Sequence, residues 1–237
     1  MRILHIGKFY PPDMGGMETY LRDLAEEQVR KGHEVTVLVH RGSSGWFTQV
    51  QHINGVKVMR TPYLCRVGFA PLTVIAGWQG QLYLHDLIHL HMPNLAALQL
   101  LMPIVLSHVT GVPKLVVHWH ADVVVDPAKR WGLLARFLLP CYRALESFML
   151  NDAAAIIPTS SDYLEKSGPL NNHRSRCRVV PLGLDASRLR TPSDTSLLDA
   201  KRIWSAFPQR VRVLNIGRLT YYKGQSHLIE LAKHDAD

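Results

Sequence analysis

Certain segments of this sequence carry residues whose types and spacing suit chemistry. One is Tyr10-Pro11-Pro12-Asp13-Met14-Gly15-Gly16-Met17-Glu18. Paired glycines let a backbone approach a ligand closely, and a helix opening there presents unpaired N–H groups to an anion. The spacing is not Gly-x-Gly-x-x-Gly, which disfavours a dinucleotide site. The plain alternative is a tight turn that needs glycine. A second is His118-Trp119-His120-Ala121-Asp122, echoed by His89-Leu90-His91-Met92-Pro93-Asn94. Histidines two apart share one face of a strand and exchange protons near neutral pH. Such rings could hold a metal, yet no Cys or Glu at ligand spacing supports them. Lining a polar cleft or making core hydrogen bonds is the commoner role, so no metal is expected. A third is Gly217-Arg218-Leu219-Thr220-Tyr221-Tyr222-Lys223-Gly224. The Arg218 fork and the Lys223 point charge suit a diphosphate leaving group, or else form a solvated basic turn.

These segments need strands and helices to hold them. Apolar runs that read as buried strands cover residues 2–7, 34–40, 56–60, 86–91, 114–119, 153–158 and 178–181. Helical spacing covers 17–30, 95–108, 129–150 and a short stretch from Ser161. Strands that alternate with helices and are continuously apolar predict a doubly wound, parallel α/β sheet. The chemistry-bearing loops then fall at the carboxyl ends of strands, where open α/β sheets bind ligands. Residues 1–183 form the first domain in this reading, and 184–210, rich in polar turn residues, form a linker. Residues 211–237 supply the first strand and helix of a second domain.

Composition narrows the function classes. The chain has 237 residues, 47% of them hydrophobic, which is ample for a packed core. Lys and Arg number 27 against 19 acids, giving a net charge of +8 and favouring anionic partners. No dense basic stripe with interleaved aromatics occurs, so nucleic acid is not expected. Cys65, Cys141 and Cys177 read as ordinary thiols. No apolar run reaches the ~18 residues of a spanning helix. The expected location is the cytoplasm. The basic and apolar stretch at 129–139 leaves open a peripheral contact with an anionic membrane.

Taken in order, these segments resemble the GT4 glycosyltransferases, especially bacterial mannosyl- and rhamnosyltransferase-like members. The matching pieces are Tyr10-Pro11-Pro12 with Gly15-Gly16-Met17-Glu18, then His89 to Asn94, then His118 to Asp122. Thr159-Ser160-Ser161-Asp162-Tyr163-Leu164, Pro181-Leu182-Gly183-Leu184-Asp185 and Gly217 to Gly224 follow. The resemblance implies a GT-B fold of two Rossmann-like domains, of which this chain carries the N-terminal one and the start of the other. It implies retaining sugar transfer from a nucleotide-sugar to a glycan or lipid-linked acceptor in cell-surface polysaccharide assembly, without metal or other cofactor. His120 then contacts the transferred sugar, and Gly15 and Gly16 approach the donor phosphates or the acceptor. Arg218 and Lys223 neutralise the departing diphosphate. Tyr10, Glu18, His91, Asn94 and Asp122 are candidates for the acceptor cleft. The family's paired glutamates belong to a region beyond Asp237, so these residues alone are expected to transfer little or no sugar. A separately encoded C-terminal half, or a non-catalytic binding module of the same fold, is the alternative.

Overall fold

The computed structural model describes residues 1–13, 15–42, 46–62, 65–67, 70–72, 79–97, 101, 113–125, 132–185, 191–206, 213–217, 219 and 223–234. The chain divides into two compact units, Met1–Asp185 and Ala186–Asp237.

The first unit is built on a seven-stranded sheet. Its strands are β1 (Arg2–Ile6), β2 (Glu34–His40), β3 (Gln49–Ile53) and β4 (Val56–Thr61). A small separate hairpin pairs β5 (Cys65–Val67) with β6 (Ala70–Leu72). The main sheet continues with β7 (Leu87–Met92), β8 (Lys114–Trp119) and β9 (Ala155–Pro158), in the spatial order β3-β4-β2-β1-β7-β8-β9. Every pairing is parallel except the β3–β4 hairpin. Counting only the parallel strands, the sheet steps outward from β1 in one direction and then, from β7, in the other. That reversal is the switch point of a doubly wound fold, and it lies between β1 and β7.

Helix α1 (Gly16–Arg30) connects β1 to β2, and α2 (Gln79–Leu82) precedes β7. Helix α3 (Gly132–Asp152) connects β8 to β9, and α4 (Ser161–Lys166) leads into a 3₁₀ segment, Gly168–Arg176. The core has one cluster on each face of the sheet. Leu4, Ile6, Leu38, Ile88, Leu90, Met92, Val117 and Trp119 belong to one. Val35, Val37, Val39, Val56 and Val58 pack with Leu21 and Ala25 of α1 in the other. Strand β2 thus serves both faces, its valines on one and Leu38 on the other, as a buried parallel strand should.

Some expectations need correcting. Strand β3 was not anticipated. Its residues are mostly exposed, so its apolar signal is weak, but the Asn54-Gly55 turn after it has φ of 49° and 83°. That is the hairpin conformation that asparagine and glycine favour. Residues 178–181 do not form a strand. Arg178 N donates to Ile156 O at 2.8 Å and Val180 N to Pro158 O at 3.1 Å, so the segment runs beside β9. Pairing is confined to one bridge, Ile156–Cys177, and Pro181 has no N–H to extend it.

The second unit holds helices α5 (Asp194–Ser205) and α6 (Gln225–His234). Helix α5 falls where a linker was expected. Ser193 caps it, its hydroxyl accepting from Ser196 N at 3.2 Å. Helix α6 follows expectation, but the described residues of 211–216 are not in a strand, and among the described residues no strand pairs with them. None of this unit's described residues is buried, and Ile216 stands 87% exposed.

Of the longer helices expected, 98–100, 102–108 and 129–131 lie outside the described residues. Among the described residues no helix is long and apolar enough to cross a membrane.

Candidate functional site

On the face covered by α1, the sheet changes character along its width. In β2 it presents Val35, Val37 and Val39, and in β4 Val56 and Val58 followed by Arg60. In β1, β7 and β8 it presents histidines towards the carboxyl ends: His5 pairs in register with His89, and His91 with His118. His120 follows two residues on, just past the end of β8. The residue pattern therefore places five imidazoles on one face, astride the switch point.

The rings touch. His5 Nδ1 lies 3.0 Å from His91 Nε2, and His91 Nδ1 lies 3.0 Å from His120 Nε2. Gln28, from α1, places Oε1 at 2.6 Å from His5 Nε2. His118 stacks on His120 with ring centroids 4.5 Å apart, and His91 stacks on His118 at 5.6 Å. Tyr20 of α1 meets His118 at 4.8 Å and His120 edge-on at 5.5 Å. His5, His89, His91 and His118 are buried, and His120 is partly exposed.

Burial removes water from an imidazolium and so favours the neutral ring. It pushes His5 and His120 down to about 4 and His118 to about 3. His89 and His91 are driven well below the usual histidine range by burial and then by their histidine neighbours. The cluster is therefore neutral at pH 7 and acts as lone pairs and N–H donors. Two overlapping triplets, His5-His89-His91 and His91-His118-His120, bring ring nitrogens within 4.8 Å of one another and could ligate a metal.

Next to the cluster lies an open hollow of about 400 Å³. Gly15, Gly16, Thr19, Tyr20, Asp23, Leu182, Gly183 and Leu184 line it. Gly15 is the N-cap of α1 and is extended, and no side chain caps the helix. The first N–H groups of α1 thus have no intrahelical partner and are available to an anion. A Cβ at Gly16 would meet nothing within 4 Å. The protein's own packing does not require that glycine.

The loop before α1 is held from below by Arg60, which sequence reasoning missed. This buried guanidinium donates to Tyr10 O at 2.9 Å and to Pro11 O, and pairs with Asp13 at 3.9 Å. Tyr10 is fully buried in the valine-rich core cluster. Glu18 sits half-buried in the first turn of α1.

Asn94 and Asp122 are occupied within the fold. Asn94 is buried, donates to Gly7 O at 2.9 Å and accepts from Ala97 N at 3.3 Å, capping the helical residues 95–97. Asp122 Oδ1 accepts from Trp119 Nε1 at 2.8 Å, Tyr163 Oη at 2.9 Å and Ser167 Oγ at 2.7 Å. Lys223 is exposed in the second unit, and Arg218 lies outside the described residues. Besides Arg60, reasoning from sequence missed His5, Gln28 and Tyr20. The signal for His5 was present: a lone histidine inside the apolar run at 2–7 must find a partner once buried.

A model of the glycosyl transferase 4-like domain matches residues 15–183. The chain belongs to this glycosyltransferase family. Two similar proteins are the O-antigen chain mannosyltransferase C of Escherichia coli, 24% identical, and the D-rhamnosyltransferase WbpZ of Pseudomonas aeruginosa, 28% identical. They cover 98% and 97% of this chain, and the chain spans 58% and 56% of their lengths. Among solved structures, starch synthase IV of Arabidopsis thaliana bound to ADP and acarbose aligns with a TM-score of 0.61 at 13% identity. It covers 98% of this chain and is itself covered to 65%. Sucrose-phosphate synthase of Thermosynechococcus elongatus gives 0.59 at 20% identity, covering 97% of this chain and covered to 58%. HepE of Anabaena in complex with UDP-glucose gives 0.58 at 19%, with shares of 98% and 57%. The fold is the α/β, mostly parallel fold of GT-B glycosyltransferases.

Proposed function

We propose that this chain is the acceptor-side part of a retaining glycosyltransferase that moves a sugar from a nucleotide-sugar to a glycan or lipid-linked acceptor in surface polysaccharide assembly. One observation carries the reading. The uncapped N-terminus of α1, with Gly15 and Gly16, opens on a hollow whose Tyr20 wall is in ring contact with His120. An anion binder and a polar ring are thereby set side by side at the carboxyl end of the sheet. The two similar transferases act with mannose and rhamnose by name, and HepE was solved with UDP-glucose.

In this reading the donor phosphates approach the α1 N-terminus, and His120 meets a hydroxyl of the transferred sugar. Negative charge grows on the departing diphosphate, and the cations Arg218 and Lys223 stabilise it without a metal. His91 supports His120 from behind. Tyr10 and Glu18 hold and flank the loop that faces the acceptor. The chain by itself is proposed to bind more readily than it transfers, since the described part of the unit bearing Lys223 buries none of its residues. At the start of α3, Phe137 is 75% and Leu138 58% exposed beside Arg136. This is the segment proposed to rest on an anionic membrane, at the cytoplasmic face.

Calorimetric titration of the chain with nucleoside diphosphates and their sugar conjugates tests the reading. Saturable binding that Gly16→Val weakens supports it. Binding that is absent, or indifferent to Gly16→Val, contradicts it.

A further inference from the structure

We propose that Gln28, His5 and His91 fix the tautomer of His120, leaving its Nδ1 as a lone-pair acceptor for a ligand hydroxyl. The relay is read from the hydrogen-bond chain itself. The ligand hydroxyl rests on the reading that His120 meets the transferred sugar.

The chain starts at an atom that can only accept. Gln28 Oε1 lies 2.6 Å from His5 Nε2, so His5 carries its proton on Nε2. A neutral imidazole has one N–H and one lone pair. His5 Nδ1 is then the lone pair, and it faces His91 Nε2 at 3.0 Å, which must donate. That places a lone pair on His91 Nδ1, which faces His120 Nε2, also at 3.0 Å. His120 therefore spends its single proton on His91. Its Nδ1 keeps a lone pair and makes no hydrogen bond among the described residues.

Each ring in the relay is neutral, for burial strips the water that an imidazolium needs. With one proton per ring, the three orientations are locked together. Reversing the first hydrogen bond reverses the other two. His118, buried and stacked on His120, stands outside the relay, with no hydrogen bond at either ring nitrogen.

The consequence is a choice of ligand group. A bare Nδ1 accepts from a sugar hydroxyl and repels a phosphate or carbonyl oxygen. The opposite tautomer would do the reverse. Gln28, His5 and His91 are positioning residues here, acting on the ligand only through His120.

Long-range nitrogen–proton NMR on the ¹⁵N-labelled chain reads each ring nitrogen directly. The expected spectrum shows bare Nδ1 and protonated Nε2 on His5, His91 and His120. Gln28→Glu offers only acceptors and keeps that pattern. Gln28→Arg offers only donors and inverts all three rings. A proton on Nδ1 of any of the three rings in the unsubstituted chain overturns the proposal whether or not the variants fold. So does a folded Gln28→Arg chain whose tautomers stay as they were. Adding a nucleotide-sugar then separates the two ideas. If the relay is as assigned, a shift of His120 Nδ1 towards the hydrogen-bonded position supports the hydroxyl contact. An unmoved Nδ1 at saturation refutes His120 as the sugar contact and leaves the relay standing.

Discussion

His91 and His120, 29 residues apart in sequence, share a hydrogen bond of 3.0 Å between Nδ1 and Nε2. The first belongs to β7 and the second follows β8, so register in a parallel sheet brings them together. The same register aligns His5 with His89. The histidine rings lie on β1, β7 and β8, the two strands at the switch point and the next one out. Position, hydrogen bonding and charge state of the cluster thus have one origin in strand order.

That origin predicts acid sensitivity. A histidine whose folded pKa is pushed down binds a proton sooner in the unfolded chain. Stability is therefore complete above the ordinary value of 6.5 and declines as pH falls towards about 4. Each such ring contributes a slope of up to about 1.4 kcal/mol per pH unit in that window. The urea midpoint should fall steadily from pH 7 to pH 5, with a slope of more than one proton. A midpoint that is flat over that range contradicts the buried, neutral cluster.

Gly16→Ala separates ligand from fold. The new Cβ meets open space, and alanine is a better helix former than glycine by about 1 kcal/mol in a helix interior. The melting temperature should hold or rise slightly. Nucleoside diphosphate affinity should drop about tenfold, because the methyl group would sit where the proposed site brings the phosphates to the backbone. Unchanged affinity would show that the glycine does not serve a ligand.

Arg60→Leu should act through the loop. It takes the guanidinium from Pro11 O and Asp13 and leaves Tyr10 O with only Asp13 N, at 3.3 Å, as donor. A loss of about 2–4 kcal/mol is expected, from backbone acceptors that lose a donor and a broken, largely buried ion pair. Urea unfolding measures it, and a loss below about 0.5 kcal/mol would show that the loop is held by other means.

How much of this was legible in the sequence depends on what each residue touches. The β1-α1-β2 unit was readable, because a continuous apolar run and a helix closed at Gly32 need no distant partner. So were β7 and β8. The β3 strand was missed because its side chains are mostly solvated, although Asn54-Gly55 marked its turn. The residues at 178–181 looked like a strand, but a strand also needs a neighbour to complete its ladder. The site was half legible. His91 and His120 carried their own spacing signal. Gln28 and Arg60 did not, since a lone glutamine on a helix and a lone arginine on a strand gain meaning only from the partners that folding brings. Asn94 and Asp122 show another side of this, for the hydrogen bonds they make within the fold also come from partners distant in sequence.

Metal removal is informative because two histidine triplets could ligate an ion. Nucleotide-sugar binding by the chain should be unaffected by a chelator. A chelator-dependent loss that zinc restores would contradict leaving-group stabilisation by Arg218 and Lys223 alone.

The central claim is that the α1 N-terminus and His120 belong to one ligand site. Amide and ring chemical shifts recorded while titrating a nucleotide-sugar into the chain test it most directly. The account predicts that Gly15, Gly16, Tyr20 and His120 shift together along one saturation curve. Saturable binding in which Gly16 moves and His120 does not, or the reverse, would contradict it.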